Sequence, residues 1–488
     1  MGTTNLEKIA ELAMLERNLD PEYAEDALAQ VRATTEPAFD DEVVDLRHLP
    51  WCSIDNGEGE LVTSKDLDQI SVASVEDGAI VVRVAIADVD ALVPKGSPVD
   101  MQAQRNTTTV YCAGKTYPMI HPRFSEDLTS LNEDEDRLAM VTEMVFGEKA
   151  HAGDVSDFRI YRAMVRSKVK LNYESTGAWL AGQGQAPLAL LGKDDVVDSI
   201  QLQHKVAQSY KERRRRVGSL TLESMEARAK IEQGEVQVIE GQLVNPATEL
   251  IENMMVACNG CTTKFLRAQG FPTFERVVRV PKRWDGIVEV AAEKGTKLPK
   301  EANSKALQQF LEAQHKEDPL HFPDLCLEVL KLLGRGEYVA ELPDQPPVGH
   351  FGLAVREYSH STAPNRRYPD VITQRLLKAA LAGDACPYNV HQLEALARHC
   401  SLQESNSKKV ERKTQKCAAA AMLRPRIGEY FMVVVSGQND ASTWVRLLDM
   451  PVEGKLSCYA RLGQVLQVRL VSVNVEKGFI DFEPSDAD

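Results

Sequence analysis

The sequence contains no apolar run near the roughly 18 residues that a membrane-spanning helix needs. The segment Met1-Gly2-Thr3-Thr4-Asn5-Leu6-Glu7 has neither the basic nor the apolar part of a secretory signal. Both absences predict a cytoplasmic protein with no membrane partner. Basic residues are in deficit, 57 Lys and Arg against 72 Asp and Glu, for a net charge of −15. This excludes a surface coated in positive charge, but not a phosphate binder, because a local groove depends on where charges sit rather than on their sum. Nine cysteines, an odd number without framework spacing, argue against a disulfide scaffold. The pair Cys258 and Cys261 forms a CxxC. No second pair and no paired histidines complete a zinc site, so it is read as two small helical residues. Internal repeats are absent, and Gly182-Gln183-Gly184-Gln185 is the one low-complexity tract.

What is present is ordinary globular composition, 43% hydrophobic and 26% charged over 488 residues. That length suggests about two to four domains. Apolar residues at helical spacing between Leu6 and Val31, broken at Asp20-Pro21, predict a small helical hairpin. Thr34-Thr35-Glu36-Pro37 ends it. From about Asp41 the pattern turns β-rich, with strands at Ser71–Val75 and Ala79–Ala87 around an Asp77-Gly78 turn, then at Leu138–Phe146 and Arg162–Leu171. Helices are expected at Asp195–Val217, Glu249–Ala268, Leu325–Leu333, Asp370–Leu381 and His391–Met422. Short strands from Tyr430 onward, with turns at Gly437–Asp440 and Glu476–Gly478, suit a small barrel of the OB type. The reading is a mixed α/β protein in three parts: residues 1–40 helical, 41–423 a large catalytic-type domain, and 424–488 a barrel.

Chemistry concentrates after Ser53-Ile54-Asp55-Asn56, read as a polar loop. Asp66 and Asp68 alternate, so an extended segment points both the same way. Two carboxylates so placed repel unless a cation lies between them, and a hard ion with oxygen ligands, magnesium first, is the natural occupant. Such an ion neutralises phosphate and activates water. On spacing alone an ordinary acidic loop fits better.

The surrounding text resembles the ribonuclease II (RNB) family. Asp45-Leu46-Arg47-His48-Leu49-Pro50, the Ser-Ile-Asp-Asn segment, Asp66-Leu67-Asp68 and Val84-Ala85-Ile86-Ala87-Asp88 occur in that family's order. So do Tyr117-Pro118-Met119-Ile120, Ser130-Leu131-Asn132, His350-Phe351-Gly352-Leu353, Tyr358-Ser359-His360-Ser361-Thr362-Ala363-Pro364 and Arg366-Arg367-Tyr368-Pro369-Asp370. The resemblance implies an RNB-type catalytic domain, a closing OB module, and magnesium-dependent 3′→5′ hydrolysis of single-stranded RNA to nucleoside 5′-monophosphates by a monomer. It further implies that Asp55, Asp66 and Asp68 match three of four metal-binding aspartates, Asp68 being the one on which hydrolysis depends most. Gln69 replaces the fourth, which removes one ligand charge. Tyr111 matches the tyrosine that stacks on the terminal base, and Arg366 the arginine at the scissile phosphate. Arg367 supports packing or the backbone path, Glu252 matches a glutamate near the last bases, and Glu411 one implicated in distinguishing ribose. A second clamping aromatic has no counterpart; Leu220 or Leu222 stands in its region. Some cations of Lys211–Arg216 are placed along the RNA path. The two cold-shock barrels that precede the catalytic domain in longer members have no counterpart in the roughly 40 residues before it. Because of Gln69, the competing reading is a catalytically impaired RNA-binding or regulatory protein.

Overall fold

A strand buried on both faces has no polar face to alternate, and Trp51–Asp55 is such a strand, buried along its whole length. This corrects the reading of Ser53–Asn56 as a polar loop. The strand runs parallel to the long Asp157–Asn172 strand, pairing Asp55 with Asn172, and meets Gln69–Glu76 at Cys52 and Ser71. The computed structural model describes residues 6–58, 61–147, 153–222, 227–232, 235–241, 244–439 and 442–485.

Gln69–Glu76 and Ala79–Ala87 form the expected hairpin. Its turn uses Asp77 and Gly78 at φ 47° and 78°, the left-handed conformation an Asp-Gly turn requires. Ala79–Ala87 pairs onward with Asp136–Phe146, which pairs in turn with Asp157–Arg166, so the sheet closes on itself. Alternation then divides the core. Ala85 and Ala87 face one cluster with the Tyr368–Ala382 helix, while Val82, Val84 and Ile86 face another with helices Asp194–Val217 and Pro246–Ala268. Each fully buried aliphatic side chain contributes roughly 1.5–3 kcal/mol, which fixes the register of the strands that end at the site.

Five helices lie where the spacing put them: Asp194–Val217, Pro246–Ala268, Phe322–Leu333, Tyr368–Ala382 and Val390–Leu423. Cys258 and Cys261 are buried within the second of these, and none of the nine cysteines is joined in a disulfide among the described residues. Pro98–Asn106, Tyr173–Leu180, Trp284–Glu293 and Ser304–Glu317 are further helices. The helical hairpin comprises Leu6–Leu15 and Glu25–Ala33. The second helix starts at Glu25, not Pro21. Asp20 cannot cap it, because Asn106 takes both its backbone N–H and its carbonyl at 2.8 Å, while Arg105 pairs with its carboxylate.

The C-terminal barrel is closed and five-stranded, in the order Tyr430–Asn439, Ser442–Leu447, Glu453–Leu456, Phe479–Pro484 and Val465–Asn474. Glu453–Leu456 is an additional short strand of sequence EGKL, too polar to read as one. Gly437–Asn439, expected as a turn, continue the first strand by pairing with Ser442–Trp444. The remainder of that expected turn, residue 440, lies outside the described residues. Ala419, Ala420 and Leu423 from the end of the long helix complete the barrel's core. No helix among the described residues is long and apolar enough to cross a membrane.

Candidate active site

Asp55 is the last residue of its strand, and Asp66 and Asp68 lie in the extended chain leading into Gln69–Glu76. That chain is held by the Ser130-Leu131-Asn132 segment. Ser130 Oγ donates to the Lys65 carbonyl at 2.6 Å and accepts the Leu67 N–H at 3.0 Å, and Leu131 N–H donates to the Leu67 carbonyl. The Asp68 carbonyl accepts the Ala87 N–H. Asp55 accepts from Ser64 Oγ at 2.8 Å and from its neighbour Asn56. These bonds fix the Asp55 carboxylate and the backbone that carries Asp66 and Asp68.

The opposite wall comes from the turn before Tyr368–Ala382. Asp370 accepts the Ala363 N–H at 2.9 Å and holds Arg367 by two bonds of 2.8 Å, which closes that turn. The turn is aimed at the aspartates. Asn365 N–H donates to Asp68 Oδ1 at 2.8 Å, and Arg366 Nε donates to Asp68 Oδ2 at 2.5 Å, with Asp66 4.0 Å away. Residues 107–109 run beside the same turn, through Thr109 N–H to the Arg366 carbonyl and Tyr368 N–H to the Thr107 carbonyl, both 2.9 Å. This delivers the Val110–Cys112 hairpin strand, and with it Tyr111, to Arg366. Glu411 on the long helix accepts the Tyr111 N–H at 3.0 Å.

The electrostatics follow from enclosure. Asp68 has no exposed surface, and burial, with the nearby charge of Asp66, pushes its carboxyl up to about 7 against the pull of Arg366. Asp66 is raised by burial and by Asp55, again against Arg366. Burial would lower Arg366, but Asp68, Tyr111, Asp55 and Asp66 raise it well above its ordinary value. Tyr111 exposes 45% of its surface, yet its hydroxyl lies among these groups, and burial lifts it to about 12. Asp68 and Arg366 form a pair, but the three carboxylates with one guanidinium leave an excess of negative charge.

Among the described residues no three acidic, histidine or cysteine groups converge closely enough to make a ready metal cage. The donor chemistry nevertheless fits a hard divalent ion: the donors are oxygens only, and burial raises the carboxyls of Asp66 and Asp68, which a cation beside them would offset. Gln69 is 5% exposed and opens the strand that follows Asp68. Magnesium or a similar ion would be held by Asp55, Asp66 and Asp68, with Gln69 adjacent.

Other expected residues lie elsewhere. Glu252 pairs loosely with Arg214, at 3.4 Å. Leu220 and Leu222 are absorbed into the helical core around Trp284 and Phe310 and do not stand as a clamp. The cations of Lys211–Arg216 carry carboxylate partners, among them Glu312 for Arg215 and Asp154 for Arg213. Sequence reasoning missed Asn365 and Ser130, which act through backbone bonds; Ser130-Leu131-Asn132 was visible as a motif, but without a role.

A family model described as the RNB domain matches residues 43–383, and one described as the RNase II-type exonuclease C-terminal S1 domain matches residues 429–485. Ribonuclease R of Aquifex aeolicus (strain VF5) is 28% identical over 503 residues, covering 96% of this chain and 68% of its own length. Ribonuclease R of Escherichia coli (strain K12) is 28% identical over 481 residues, covering 90% of this chain and 57% of its own length. The chain thus spans between 57% and 68% of the length of these relatives. Mycoplasma genitalium RNase R, solved in complex with ribose-methylated single-stranded RNA, superimposes with a TM-score of 0.87. The match covers 99% of this chain and 78% of that one at 21% identity, a likeness of fold.

Proposed function

The chain belongs to the RNB domain family, and we propose that it is a 3′→5′ exoribonuclease that hydrolyses single-stranded RNA processively to nucleoside 5′-monophosphates with magnesium. The observation that carries this reading is Arg366, bonded through Nε to a fully buried Asp68 and standing beside Asp66 and Tyr111. Its Nη donors have no carboxylate partner among the described residues, so the guanidinium can receive a phosphate without leaving Asp68. Tyr111 offers an aromatic face that holds any base without reading it, for roughly 1–3 kcal/mol. Asp55, Asp66 and Asp68 hold the ion, which when bound neutralises phosphate charge and makes water nucleophilic. Asn365 and Arg366 fix the Asp68 carboxylate by one bond to each oxygen, so its orientation does not drift between turnovers. Glu411 fixes the Tyr111 backbone and thereby the distance from the stacked base to the arginine. Arg367, paired with Asp370, shapes the turn rather than touching substrate.

The test is a 5′-labelled RNA incubated with the protein, with magnesium or with chelator, its products resolved by length and its mononucleotides by chromatography. A ladder shrinking from the 3′ end with 5′-monophosphates released, abolished by chelator, is the expected result. Binding without cleavage would favour the second reading, an impaired RNA-binding protein, to which the neutral amide of Gln69 at the fourth ligand position lends support.

A further inference from the structure

One group of side chains beside the site has no task in that mechanism. Tyr338 lies on the Glu337–Glu341 strand, and its hydroxyl is 2.9 Å from His360 Nδ1. Tyr338 is 6% exposed, and its hydroxyl makes no other hydrogen bond among the described residues. A buried phenol must place its hydrogen somewhere, so Tyr338 donates and Nδ1 accepts. His360 is then a neutral imidazole with its hydrogen on Nε2. The ring is gripped on two sides, edge-on to Tyr338 and Tyr358, each with centroids 5.6 Å away and planes inclined at 73° and 83°. Burial, followed by the charges of Arg367, Arg276, His350 and Lys408, holds His360 well below its ordinary value, so it stays neutral. Nε2 has no partner among the described residues, and it is not sealed from solvent.

This fixed N–H lies on the segment that leads to Arg366, anchored one residue later where Ser361 N–H and Oγ both donate to Asn259 Oδ1, at 2.9 and 2.7 Å. The nearby guanidiniums are already engaged: Arg276 with Glu404 at 2.6 Å, Arg367 with Asp370 at 2.8 Å. A phosphate arriving here would lose water without meeting a free cation. A neutral acceptor needs one donor, and one is offered. We propose that His360, fixed by Tyr338 as the Nε2–H tautomer, donates to the 2′-hydroxyl oxygen of a nucleotide upstream of the scissile phosphate and so helps this chain select RNA. The proposal rests on the RNA reading of the site.

Binding is measured with chelator present, so that hydrolysis plays no part, using short RNA oligonucleotides that each carry one 2′-deoxy position. In the unaltered protein one position should weaken binding by about three- to tenfold, the worth of one hydrogen bond. In His360→Ala that position should have no further effect, while the others keep theirs. Tyr338→Phe, which keeps the ring but frees the tautomer, should weaken the same position, and His360→Gln should retain part of its effect. Thermal melting accompanies each variant, and the Gln and Phe variants decide the matter if Ala does not fold. Uniform weakening of every oligonucleotide would overturn the proposal in favour of a structural role. Coupling to a methylphosphonate instead of a deoxy position would overturn the hydroxyl as acceptor. A protein that degrades RNA but shows no coupling sinks this inference alone. One that shows coupling but never cleaves sinks the exonuclease reading alone.

Discussion

Magnesium binding should release a proton from Asp68, and the affinity should therefore depend on pH. The carboxyl is fully buried and raised from 3.8 to about 7 in the protein without an ion. A raised value means that the folded protein keeps a proton where a free aspartate would have lost it. Below about pH 7 an incoming ion must displace this proton, and above it the carboxylate is already charged. With the group at about 7, roughly nine-tenths of molecules carry the proton at pH 6 and roughly one-tenth at pH 8. Apparent magnesium affinity should thus rise by about tenfold from pH 6 to pH 8 and flatten beyond. Magnesium is titrated at several pH values in lightly buffered solution, and proton release is read directly. About one proton should appear per ion at pH 6 and almost none at pH 9. In Asp68→Asn the contribution of this group vanishes, although overall affinity falls. A flat profile with no proton release would refute the reasoning: it would mean that the charge of Arg366, 2.5 Å away, outweighs burial and keeps Asp68 ionised without metal.

Asp68→Asn should abolish hydrolysis while leaving RNA binding nearly intact; a residual rate above about a tenth of the original, a barrier change under 1.4 kcal/mol, contradicts the assignment. Tyr111→Ala should lengthen the smallest end product on a sequencing gel without stopping degradation, because the ring positions the terminal nucleotide and takes no part in bond cleavage; an unchanged ladder would return Tyr111 to a packing role. Gln69→Asp adds a charge beside the ion, so the magnesium concentration for half-maximal activity should fall; identical titration curves would show that residue 69 does not reach the metal. If the natural protein is inert and that substitution switches hydrolysis on, the RNA-binding reading is the better one.

Period and punctuation made the outer plan legible. The Asp77-Gly78 hairpin, the long helices and most of the barrel are written in patterns of two or 3.6 residues, bounded by turn residues whose backbone preferences are local. The two-residue spacing of Asp66 and Asp68 likewise needed only an extended chain to aim both at one place, and both do lie toward Arg366. Where packing replaced period, reading along the chain failed. Ser53–Asp55 looked like part of a loop because a strand covered on both faces loses its alternation, and Glu453–Leu456 was too short and polar to stand out beside its neighbours.

The sequence by itself determined which chemical groups this protein possesses: the aspartates, the Arg366-Arg367 turn, the tyrosine, and the neutral Gln69 where a fourth charge was expected. Tertiary structure alone decided their partners. Asp68 and Arg366 are separated by 298 positions, and Tyr111 and Glu411 by 300. No local preference encodes such contacts; they exist because sheet closure and two long helices bring distant segments into one buried space. The same enclosure decided protonation, since removing water is what raises Asp68 and keeps His360 neutral. It also separated the two adjacent arginines, fixing Arg367 to Asp370 and Arg366 to Asp68, a difference that lies in three-dimensional pairing and not in residue type.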